Sequence, residues 1–127
     1  MADMRTPLGK VRGLGSARKG TGHFWMQRAT AIANVPLVLF FIGVLIAING
    51  ADYAQTRAAL SHPFVALPLI LMLVSVLCHM RLGMQVIIED YVHGEPGKLA
   101  LILLNTFFTV ALGAFAVFAL LKLAFGG

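Results

Sequence analysis

Three stretches of this sequence, residues 29–51, 58–80 and 99–121, contain no Asp, Glu, Lys or Arg. Each exceeds the ~20 apolar residues with which an α-helix crosses a hydrocarbon core about 30 Å thick. Inside that core the backbone has no water to bond, so such segments must satisfy their own N–H and C=O groups as helices. The remaining composition agrees: 59% of the 127 residues are hydrophobic and 12% charged, against about a quarter charged in soluble domains. The expected fold class is an all-α membrane protein with three transmembrane helices. The spans fall at about 29–49, 63–88 and 99–121, in a membrane domain 23–127 that follows a Gly/basic segment 1–22.

A secretory signal does not explain the first run, which lies behind almost thirty residues and is longer than the 7–15 apolar residues of such a region. Arg5, Lys10, Arg12, Arg18, Lys19 and Arg28 all precede or open the first span. Basic residues close to a span stay on the cytoplasmic side, which puts the N-terminus inside and, after three crossings, the C-terminus outside. The net charge of +5 therefore reads as a topology signal and not as a nucleic-acid surface. Gly13-Leu14-Gly15 and Lys19-Gly20-Thr21 match neither glycine-rich phosphate-binding spacing. The glycines of segment 1–22 argue against a sustained helix there, and the segment is expected to become ordered against something else. Cys78 is the single cysteine and reads as a small packing residue.

Trp25 suits the headgroup level, and Arg28 either snorkels there or faces an interior partner. Asn34 and Pro36 predict a kink in the first span. Between spans, residues 49–52 end one helix and Ser61 caps the next, with Pro63 in its first turn and His62 solvated. The second helix continues past its uncharged run to about Tyr91, where Gly94-Glu95-Pro96-Gly97 stops it. Phenylalanines and small residues of the third span read as lipid-facing or packing groups.

The chemistry is concentrated in Cys78-His79-Met80-Arg81-Leu82-Gly83-Met84-Gln85-Val86-Ile87-Ile88-Glu89-Asp90-Tyr91. The eleven steps from His79 to Asp90 sum to about 20° beyond full turns, so both lie on one face, with Gly83 between them leaving room for a flat group. An imidazole inside a membrane helix is either a hydrogen-bonded packing residue or an axial ligand for haem iron. If His79 served a haem held by two imidazoles, another chain would have to supply the second, because His23, His62 and His93 all lie near the surfaces. Asp90 and Tyr91 fall where the helix leaves the hydrocarbon. There they are either a solvated helix end or groups that meet a quinone, Tyr91 as hydrogen-bond donor and Asp90 as a proton-relaying neighbour.

Gln27-Arg28-Ala29-Thr30-Ala31 at the first helix entrance, and His79 followed by Asp90-Tyr91, together resemble the membrane anchor subunits of succinate dehydrogenase, respiratory complex II, of the alphaproteobacterial and mitochondrial type. The resemblance covers almost the whole chain. It implies a subunit of a succinate:ubiquinone oxidoreductase in the bacterial inner membrane, N-terminus cytoplasmic and C-terminus periplasmic, which is not catalytic by itself. The implied partners are a cytochrome b membrane subunit completing a heteromeric helix bundle, an iron–sulfur subunit, a flavoprotein subunit and the lipid bilayer. The implied cofactor is haem b shared with the second membrane subunit, and ubiquinone is the implied substrate. On the same resemblance His79 is a haem axial ligand, Arg28 faces the haem propionates, and Tyr91 and Asp90 belong to the quinone site. The competing readings are a cofactor-free anchor or assembly protein and a small proton-coupled transporter or channel. The latter requires an acid at mid-membrane, which the first and third spans lack.

Overall fold

The computed structural model describes residues 5–13, 15 and 20–126. Five helices follow one another: α1 (Pro7–Val11), α2 (Gly20–Ala47), α3 (Tyr53–Ser61), α4 (Pro63–Tyr91) and α5 (Glu95–Ala124). No strand occurs among the described residues. Helices α2, α4 and α5 have 28, 29 and 30 residues. At 1.5 Å per residue they rise about 42–45 Å, enough to cross a bilayer core and extend beyond it.

The middle of the molecule is α4. It packs against α2 on one side and α5 on the other, while α2 and α5 make no contact among the described residues. The chain is thus a row of three helices rather than a closed bundle. The buried apolar residues Ala66, Leu69, Met72, Leu77 and Ile88 all belong to α4. Large side chains such as Ile32, Leu71, Phe107 and Phe118 point outward, an arrangement that suits lipid tails or further helices.

The two seams are held differently. Between α4 and α5 the helices close on a glycine: a Cβ on Gly113 would stand 3.1 Å from Leu77 Cδ1, the close approach small residues permit in membranes. Nearby, Asn105 Nδ2 donates to the Arg81 carbonyl at 3.0 Å. Between α2 and α4 the seam is polar. Ser75 Oγ donates to Asn34 Oδ1 at 2.7 Å and lies 3.3 Å from the Thr30 carbonyl. Both Pro36 in α2 and Pro68 in α4 are carried inside unbroken helices.

The structure departs from the sequence reading at the connections. Residues 7–11 do form a helical turn, because Thr6 accepts from Gly9 N at 3.1 Å and Pro7 is preset for the first position. Helix α2 begins at Gly20, ahead of residue 23. The loop between the first two spans contains α3, started by a capping box in which Asp52 accepts from Gln55 N at 2.8 Å and Gln55 Oε1 accepts from Asp52 N at 3.2 Å. Gly50 (φ +80°) makes the preceding left-handed turn. His62, not Ser61, caps α4: its Nδ1 accepts from Phe64 N at 3.3 Å, while Ser61 Oγ donates back to Ala58 O. Glu95, Pro96 and Gly97 open α5 rather than close α4, with Gly94 as N-cap and Pro96 in the first turn.

Candidate functional site

His79 lies on α4 facing α2. Its Nδ1 is 3.1 Å from Thr30 Oγ1 and 3.3 Å from the Gln27 carbonyl oxygen. The Thr30 hydroxyl also lies 2.8 Å from the Met26 carbonyl and 3.2 Å from that of Gln27. Thr30 is among the most buried polar residues, and His79 is half-buried. The α2 contribution is a polar stripe: Gln27, Thr30 and Asn34 recur at the spacing of one helix face in an otherwise oily segment. That spacing was the available signal for Thr30 and for the Asn34–Ser75 bond, neither of which the sequence reading selected.

Beside Gly83 lies the Gln27 amide: a Cβ on the glycine would stand 3.6 Å from Gln27 Nε2, an ordinary contact. The other end of that amide, Gln27 Oε1, is buried with no hydrogen-bond partner among the described residues, as are His23 Nε2 and Arg81 Nε. Arg81 lines a cavity of about 210 Å³ between α4 and α5, away from His79.

Arg28 follows Gln27 on the same turn, exposed, with its guanidinium carbon 5.2 Å from the centre of the Phe24 ring. Asp90 and Tyr91 are exposed on the last turn of α4, beyond the buried Ile88. No side-chain hydrogen bond joins either of them to another described residue. The two are not equivalent. Tyr91 lies seven residues beyond Met84, about 20° from it around the helix, and Met84 and Ile88 line an apolar groove of about 470 Å³ closed by Leu101, Leu104, Asn105 and Phe108 of α5. Asp90 points about 100° away from Tyr91. His79, Asp90 and Tyr91 are thus brought onto one helix but not into one pocket.

The donors available narrow the cofactors that fit. Among the described residues no three His, Cys, Asp or Glu side chains converge on a metal position. One inward imidazole suits a metal that brings its own equatorial ligands and takes one axial nitrogen from each of two chains. Among the described residues, the other histidines stand elsewhere: His62 caps α4 at the opposite end, His23 lies in the first turn of α2, and His93 follows α4.

These features define a multi-pass helical membrane protein in which a polar seam between two spans holds one imidazole inside. The chain belongs to the family described as succinate dehydrogenase/fumarate reductase transmembrane subunit, which matches residues 2–113. It is 34% identical over 121 residues to the succinate dehydrogenase hydrophobic membrane anchor subunit of Paracoccus denitrificans, covering 95% of this chain and 93% of that one. The corresponding subunit of Rickettsia bellii is 32% identical over 108 residues, covering 85% and 86%. The succinate dehydrogenase membrane anchor subunit of Reclinomonas americana is 36% identical over 90 residues, covering 68% and 75%.

Proposed function

We propose that this chain, as a membrane anchor subunit of succinate dehydrogenase, supplies one axial ligand to a haem b and a hydrogen bond to the quinone the enzyme reduces. The anchor role follows from family membership and three spanning helices. His79 is the ligand, and the observation that carries this is its imidazole held inside the membrane domain by Thr30 and Gln27. The second axial nitrogen comes from a cytochrome b membrane subunit set against the open side of the α2–α4 seam. Haem b, when bound, supplies a one-electron iron couple between the helices. Arg28, exposed on the turn next to Gln27, pairs with a haem propionate, for which a guanidinium is well matched.

Tyr91 donates its phenolic hydrogen to a quinone carbonyl, and the groove beneath it takes apolar parts of the same molecule. Asp90 supports that site as a nearby proton-exchanging group. The iron–sulfur and flavoprotein subunits dock at the Tyr91 end, which lies on the cytoplasmic side of a bacterial inner membrane by the basic bias of the residues before α2. The C-terminus is then periplasmic. The isolated chain has no catalytic activity.

The test is the visible spectrum of the purified, dithionite-reduced complex. A b-type band is expected in wild type and its loss in His79→Ala, with the soluble subunits still bound. An unchanged band in that variant removes His79 from the iron.

A further inference from the structure

The contacts around Thr30 determine which nitrogen of His79 carries the proton. Thr30 has one hydroxyl hydrogen and two carbonyl oxygens within reach, Met26 O at 2.8 Å and Gln27 O at 3.2 Å. Carbonyls accept only, and the shorter contact is the back-bond a helical threonine commonly makes. Oγ1 therefore presents a lone pair to His79 Nδ1, 3.1 Å away. The Gln27 carbonyl presents another at 3.3 Å. A bare Nδ1 would set its own lone pair against both, whereas an Nδ1–H satisfies both. The proton sits on Nδ1, and the lone pair of the ring is left at Nε2.

We infer that Thr30, with the backbone carbonyl of Gln27, is a positioning residue that fixes the tautomer and direction of the His79 ring and makes Nε2 a stronger donor to a metal. This rests on the haem reading above and deepens it. A hydrogen bond from the far nitrogen of a ligating imidazole raises its basicity, and losing such a partner typically weakens metal binding roughly 10–100-fold. A stronger donor favours ferric over ferrous iron, so Thr30 holds the haem potential down. Thr30 is 8% exposed, and Ser75 Oγ lies 3.3 Å from its carbonyl, not its side chain, while donating to Asn34. Removing the Thr30 hydroxyl therefore leaves the Ser75–Asn34 bond in place.

The experiment compares Thr30→Val, which keeps volume and branching, and Thr30→Ser, which keeps the hydroxyl, in the intact complex. The readouts are the haem midpoint potential, haem content per complex and the near-infrared magnetic circular dichroism band of the ferric haem. Thr30→Val is expected to shift the potential upward and move the dichroism band, with haem affinity lowered roughly 10–100-fold. Thr30→Ser is expected to stay at wild-type values. If Thr30→Val does not assemble, Thr30→Ala replaces it against the same Thr30→Ser reference. Wild-type potential and haem content in the hydroxyl-free variant, with the band still lost in His79→Ala, overturn this inference and spare the haem reading. A wild-type complex without a haem band overturns both.

Discussion

Tyr91 stands twelve residues beyond His79 on α4, a rise of about 18 Å and a turn of about 120° around the axis. The two side chains therefore serve different surroundings, and variants at one should leave the other intact. Tyr91→Phe is expected to lower succinate-dependent quinone reduction and weaken quinone-site inhibitors while the haem spectrum stays unchanged; wild-type turnover and inhibitor affinity would remove the phenol from the quinone. Ser75→Ala loses the 2.7 Å bond to Asn34. Interhelical hydrogen bonds of this kind are worth about 0.6 kcal/mol on average and about 1.7 at most, so a small fall in the unfolding temperature of the complex in detergent is expected. The inward placement of His79 was legible in the sequence because an imidazole in an oily helix is conspicuous; its spacing to Asp90 put the two on one helix face but not in one pocket. Thr30 was not, because a threonine in a membrane helix usually bonds its own backbone, and only the approach of α4 gives its oxygen a second task.

At the scale of an element, the α4–α5 seam depends on the missing side chain of Gly113. Alanine there meets only the mobile end of Leu77 at 3.1 Å, while valine adds branches that the helix backbone cannot avoid. Gly113→Val is expected to destabilise the complex by about 1–3 kcal/mol, as overpacking does, and Gly113→Ala much less; thermal denaturation followed by fluorescence distinguishes them. Asp52→Ala removes the cap of α3 at a cost of roughly 0.5–2 kcal/mol, expected as faster amide exchange over α3 with none in α4. The three spans were legible because length and absence of charge determine them. Helix α3 was missed although Asp52 and Gln55 have capping-box spacing, since its nine residues carry little apolar pattern. The end of α4 at Tyr91 was legible, whereas the place of Glu95, Pro96 and Gly97 in α5 was not: proline cannot continue a helix but readily begins one, and composition alone does not say which.

For the molecule as a whole, the row arrangement matters most. Since α2 and α5 do not touch, α4 keeps two flanks that the other described helices leave uncovered, and many large apolar side chains face outward. Made without the second membrane subunit proposed above, the chain is expected to accumulate poorly in membranes, and coexpression of that subunit should restore its level, as read by immunoblotting of membrane fractions. Equal levels in both cases would mean that the row is sufficient in lipid alone. The polar seam also has a history in synthesis. Asn34 and Thr30 leave the ribosome 41 to 49 residues before Ser75 and His79, the side chains that answer them. During that interval the Thr30 hydroxyl is answered by the Met26 carbonyl of its own helix, whereas the Asn34 amide waits for Ser75. Release of the first two crossings as a hairpin would pair the Asn34 amide with Ser75 before it meets lipid.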